Sequence, residues 1–119
     1  MCRSAGGRSV EVSPDGATLA VATGSQVLQF DAGTLASVGP ALRAHTADVK
    51  DVSYDYAGRR LVTASDDRSA IVWGARSAVP LHRFVGRVGL RSAVFGAGGR
   101  TVYTAGEDGL VLAWGVRGN

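Results

Sequence analysis

The amino-acid sequence predicts an all-β fold, a partial β-propeller of about three blades. Each blade is an antiparallel four-stranded sheet, and the last is incomplete. The first observation behind this is an internal repeat. LVTASDDRSAIVWG at 61–74 and VYTAGEDGLVLAWG at 102–115 follow one pattern at a spacing of 41, and both tryptophans of the chain, Trp73 and Trp114, fall at its equivalent positions. A weaker copy, LAVATGSQVLQFD at 19–31, precedes them, with Leu19 lying 42 residues before Leu61. A period of about 40–45 residues with four strands per unit marks propeller blades. The second observation is the punctuation of the chain, in which short apolar runs alternate with Gly-, Pro- and Asp-containing turns. The third is composition. With 17 glycines, a hydrophobic fraction of 45% and a charged fraction of 19%, the chain suits short strands in a packed core and not a disordered segment.

The elements follow in order. Residues 1–7 form an N-terminal extension, and 8–44 form the first, degenerate repeat. Its strands are expected at 10–12, 18–22 and 27–30, with a fourth, weaker strand within 35–42, before Arg43. The turn SPDG at 13–16 joins the first two, because Pro presets its second position and Gly tolerates its fourth. The second repeat, 45–85, has strands at 49–54, 60–64, 70–73 and 81–85, with the turn DYAG at 55–58. The third, 86–115, has strands at 90–95, 101–105 and 110–114, with the turn GAGG at 96–99; it lacks an outer strand, and 116–119 is a tail. The strands are apolar on both sides, as a sheet packed between two neighbours requires. Tyr54, Tyr56, Phe84 and Phe95 are expected to pack in cores or blade interfaces, and His82 to lie at the surface.

These repeats resemble the WD-repeat family over roughly residues 8 to 115. The resemblance rests on SPDG, on the SDD…W pattern and on the 41–42 spacing. The middle repeat fits best: it opens on Ala44-His45, similar to the family's Gly-His, and closes on Trp73-Gly74 where the family has Trp-Asp. The third repeat has Gly86 where His45 predicts a histidine, and the first has Phe30 for tryptophan. The resemblance implies a hydrogen-bonded structural tetrad of His45, Thr63, Asp67 and Trp73, and a partial one of Thr104, Asp108 and Trp114. A buried indole, hydroxyl and imidazole each need a partner, and a chain ending on Asp67 would supply them. A catalytic triad would need an exposed nucleophile on an elbow and an oxyanion hole, and no such motif occurs.

A further register is basic. Arg8, Lys50 and Arg91 each stand four residues before a first-strand anchor (Val12, Tyr54, Phe95), and Asp66 and Glu107 follow the last two by 16 residues. The resemblance places these residues, with Asp48, on the top face near the channel mouth, where proteins and peptides dock. The plainer alternative is a pair of surface ion pairs, Lys50–Asp66 and Arg91–Glu107, each worth about 0–1 kcal/mol. A ring of cations there would favour partners carrying acidic groups.

Composition and motifs narrow the remaining classes. Lys50 is the only lysine, so a phosphate-binding P-loop is excluded. The paired acids Asp66-Asp67 and Glu107-Asp108 read as turn residues bonding their own backbone. Cys2 has no second cysteine to pair with. The net charge is +3, but the arginines are scattered among ten acids, which argues against nucleic-acid binding. No apolar run approaches the about 20 residues of a membrane span, and the N-terminus lacks a signal-peptide core. The expectation is a cytoplasmic, non-catalytic interaction scaffold that binds a protein or peptide on its top face. No metal and no cofactor is expected. The alternatives are a regulatory or sensory module of a larger kinase or NTPase and, less favoured, a propeller enzyme. Three blades fall short of the usual 4–8, so closure is expected to need further blades or self-association.

Overall fold

The computed structural model describes residues 7–75, 77 and 79–116, which form three antiparallel meanders. The first sheet runs β1 (Gly7–Val12), β2 (Thr18–Thr23), β3 (Gln26–Asp31) and β4 (Leu42–Arg43). The second runs β5 (Val49–Tyr54), β6 (Arg60–Ser65), β7 (Ser69–Gly74) and β8 (Pro80–Val85). The third has β9 (Leu90–Phe95), β10 (Thr101–Gly106) and β11 (Val111–Gly115). Among the described residues no helix is long and apolar enough to cross a membrane.

One turn design recurs between the first two strands of every sheet. Gly16, Gly58 and Gly99 donate to the carbonyls of Ser13, Asp55 and Gly96 at 2.9, 3.0 and 3.0 Å. All three have φ of 70–75°, which a side chain would strain. In the middle sheet Asp55 reinforces the turn: its Oδ1 accepts from the backbone N–H groups of Arg59 and Arg60 at 2.9 and 3.2 Å.

The outer strand of the first blade departs from expectation. The regular strand spans only Leu42–Arg43, pairing Val27 with Leu42 and Gln26 with Arg43, while the expected range 35–42 contributes an isolated bridge at Ser37. Asp31 is the reason. Its Oδ1 accepts from Gly33 and Thr34 N–H at 2.8 and 2.9 Å, and Leu35 at φ 63° completes a turn. Ser37 makes an isolated antiparallel bridge to Phe30, with Val38 N–H donating to Gln29 O at 2.8 Å, and Pro40, which has no N–H to give a ladder, separates that bridge from the Leu42–Arg43 pairing. Tyr56 also departs: it sits at the tip of the 55–58 turn and is 92% exposed, outside any core. Tyr54, Phe84 and Phe95 do pack against the cores.

Adjacent blades meet through their innermost strands. β5 packs on β1 and β2 on one side, and β9 packs on β5 and β6 on the other. The alternation of β6 and β7 divides their side chains between two cores. Leu61, Ile71 and Trp73 join Ala20, Val27 and Val49 between the first and second blades. Val62, Ala64 and Val72 join Leu90, Ala93 and Val102 between the second and third. Burying each Val or Leu contributes roughly 1.5–3 kcal/mol, so the middle blade, filled on both faces, anchors the stack. The end faces are open: Val10 on β1 is 62% exposed and Val111 on β11 is 68% exposed.

Candidate functional site

The middle blade carries a continuous polar chain through its apolar interior. Trp73 Nε1 donates to Thr63 Oγ1 at 3.0 Å, Thr63 Oγ1 lies 2.5 Å from His45 Nε2, and His45 Nδ1 lies 2.9 Å from Asp67 Oδ2. Asp67 also accepts from Thr46 N–H at 2.9 Å and from Ser69 Oγ at 2.6 Å. The His45 and Asp67 side chains are only 1% and 4% exposed. Burial pushes the His45 pKa down, against the opposing pull of Asp67. Burial would raise that of Asp67, but the hydrogen bonds from Ser69, Thr46 and His45 outweigh it and bring the value down to about 2. A neutral imidazole beside an ionised carboxylate carries its proton on Nδ1. Nε2 then accepts from the Thr63 hydroxyl, and the hydroxyl oxygen accepts from the indole, so every member is satisfied in one direction.

The third blade brings together only part of this set. Trp114 Nε1 donates to Thr104 Oγ1 at 3.0 Å, but Asp108 turns to its own hairpin, accepting from Leu110 N–H at 3.0 Å. Gly86 stands where an imidazole would link them. A cavity of about 440 Å³ opens there, with Gly86, Thr104, Asp108 and Trp114 in its wall.

Residues 36–74 match the family described as WD domain, G-beta repeat. That stretch of the chain is similar to a WD repeat. The matched stretch takes in β4, the His45 segment and β5–β7, so it straddles two sheets. Two curated relatives, the Intraflagellar transport protein 122 homologs of Xenopus tropicalis and Danio rerio, are each 36% identical over 63 residues. The match covers 53% of this chain, and the chain spans about 5% of the length of those relatives.

The ladder registers give the basic positions of the three repeats a common backbone setting. In β1, Gly7 pairs with Thr23 and Ser9 with Ala22, so Arg8 is the extra residue of a β-bulge. Lys50 is bulged in the same way between Val49 and Asp51, and Arg91 between Leu90 and Ser92. A bulge bends its strand and re-aims the extra side chain. The Arg8 side chain lies outside the described residues. Lys50 Nζ is 3.4 Å from Asp66 Oδ2, while Arg91 and Glu107 are both exposed and form no ion pair among the described residues. Glu107 turns instead over Gly89, where a Cβ would meet its Oε2 at 3.0 Å. Asp48 is exposed, and its carbonyl accepts from Asp66 N–H at 2.9 Å.

One set of inner-strand residues escaped the sequence reading. Asp51 Oδ1 accepts from Ser9 Oγ at 3.3 Å, and its Oδ2 accepts from Ser92 Oγ at 3.0 Å and from Ala93 N–H at 3.1 Å. One carboxylate thus ties three blades together. The signal was a polar residue at one repeat position, Ser9, Asp51 and Ser92, spaced by 42 and 41.

Proposed function

We propose that this chain is part of a non-catalytic interaction scaffold that binds a protein or peptide over the face bearing Arg8, Lys50 and Arg91. One observation carries the reading: all three cations occupy the extra position of a β-bulge at the start of an innermost strand. Asp66 lies beside Lys50 and is bonded to the Asp48 carbonyl, and Glu107 stands at the Asp66 position of the next repeat, so the reading places these acids beside the cations. A concave mouth edged by cations draws acidic groups and raises their local concentration. The buried polar chain of the middle blade supports a structural role for His45, Thr63, Asp67 and Trp73, since neither His45 nor Asp67 is open to a substrate.

The test begins with capture of a partner by the full chain. Its affinity is then measured for a variant combining Arg8→Ala, Lys50→Ala and Arg91→Ala. Exposed charge pairs are worth up to about 1 kcal/mol each, so weakening of about tenfold or more is expected, with unchanged circular dichroism. Undiminished binding at about 0.15 M ionic strength would remove these residues from the interface.

A further inference from the structure

The opposite face, which carries the 55–58 and 96–99 turns, holds a second basic feature. A groove of about 860 Å³ runs between the middle and third blades there. It is bordered by Arg59, Arg60 and Arg100, by Asp55, and by the exposed ring of Tyr56. Arg59 and Arg100 are repeat equivalents, 41 residues apart. Their carbonyls accept from Ala75 and Val116 N–H at 2.9 and 2.8 Å, so their backbones are pinned while their side chains project into solvent.

The three arginines are not alike. Arg60 is already engaged: its Nε donates to Asp55 Oδ2 at 3.0 Å, its Nη2 donates to Gly99 O at 2.7 Å, and its guanidinium lies 5.0 Å from the centre of the Phe95 ring. It acts as a strut between the two turns, and Asp55 offsets its charge. Among the described residues neither Arg59 nor Arg100 has an ion-pair partner. The groove therefore presents two guanidinium groups without an ion-pair partner among the described residues, one from each blade, with the Arg60 strut bonded to both turns. The first blade has Ala17 at this register, so the feature belongs to the second and third blades alone.

We propose that this groove binds an extended peptide segment bearing two acidic side chains, which Arg59 and Arg100 engage. The planar guanidinium matches a carboxylate in two parallel hydrogen bonds, and Tyr56 offers an aromatic edge to the intervening residues. A nucleic acid strand would use a longer track of cations and stacked aromatics than two arginines and one tyrosine provide. The inference is independent of the Lys50 face, and the two are separable by mutation.

The test uses the full chain and a fluorescein-labelled peptide of alternating glutamate and glycine, read by fluorescence anisotropy at about 0.15 M ionic strength. Binding is expected to weaken about tenfold in a variant combining Arg59→Ala and Arg100→Ala. The Arg59→Lys, Arg100→Lys variant, which keeps charge but loses the fork, should fall between. Both should match the parent in circular dichroism, and Arg43→Ala, which removes an exposed cation on the first blade's outer strand, should bind this peptide as the parent does. Three outcomes overturn the proposal: equal affinity of parent and Arg59→Ala, Arg100→Ala chains, loss only in a Lys50→Ala, Arg91→Ala chain, or tighter binding of an oligothymidine that depends on the same two arginines.

Discussion

At the scale of single residues, Asp67 bears most of the polar chain in the middle blade. It accepts from an imidazole, a backbone N–H and a hydroxyl, and its side chain is almost wholly enclosed. Asp67→Ala strands His45 and Ser69 without their acceptor, at a cost of about 1–3 kcal/mol. Chemical denaturation should show this against Arg43→Ala, a change at an exposed outer-strand position. Equal midpoints for the two variants would remove Asp67 from any structural role. The same group makes stability depend on pH. His45 and Asp67 both have lower pKa values folded than unfolded, so the unfolded chain binds protons first and acid favours unfolding. The His45 contribution is complete above its ordinary 6.5 and is lost as pH falls below it. That of Asp67 is complete above 3.8 and disappears toward about 2. The unfolding midpoint should therefore drop between about pH 8 and pH 5, and His45→Gln should flatten that slope. These four residues were legible in the sequence because their spacing within a repeat is regular. The proton order along them was not, since it follows from burial.

At the scale of elements, the third blade is the middle blade with one ring missing. Gly86 leaves Thr104 and Trp114 bonded to each other but cut off from Asp108. A Cβ at Gly86 would meet Leu90 Cδ2 at 3.6 Å and Arg68 O at 3.7 Å, both ordinary contacts, and no positive φ reserves the position for glycine. Gly86→His should therefore place an imidazole in the adjoining cavity and raise stability by about 1 kcal/mol, through the added hydrogen bonds and a less flexible unfolded chain. Thermal or urea unfolding of the full chain measures this directly. A lower midpoint would mean that the cavity wall does not accept the ring. The bulges at Arg8, Lys50 and Arg91 belong to this scale too. The repeated basic register could be read in the sequence, whereas the bulge at each position depends on how an inner strand pairs with its neighbour.

At the scale of the molecule, the stack is closed in its middle and open at both ends. Val10 and Val12 on β1, and Leu110, Val111 and Leu112 along the third sheet, are exposed apolar side chains on unpacked blade faces. Inside the chain the corresponding surfaces are covered by the next blade, as Val49 and Val52 are. Contiguous exposed apolar patches of this kind drive association. A polypeptide of these 119 residues should therefore self-associate. Sedimentation should give a mass that rises with concentration, and Val10→Glu with Val111→Glu should shift it toward the monomer. A monodisperse monomer at high concentration, unfolding cooperatively, would show that an open three-blade stack suffices.

The sequence by itself determined the all-β class, the blade period, the turns at 13–16, 55–58 and 96–99, and the membership of the buried polar chain. All of these arise from local chemistry repeated at a constant spacing, and such a signal survives in one dimension. Only the tertiary structure decided where the first blade's outer strand runs regularly, because the turn at Asp31 and the missing N–H of Pro40 reduce its earlier pairing to a single bridge at Ser37. It also decided that Asp51 clasps serines from both neighbouring blades, that Glu107 folds over Gly89 and not onto Arg91, and that Arg60 is spent as a strut while Arg59 and Arg100 have no ion-pair partner among the described residues. Each of these depends on which surfaces of different repeats meet, and the contacts between blades are set by packing, not by the spacing within a repeat.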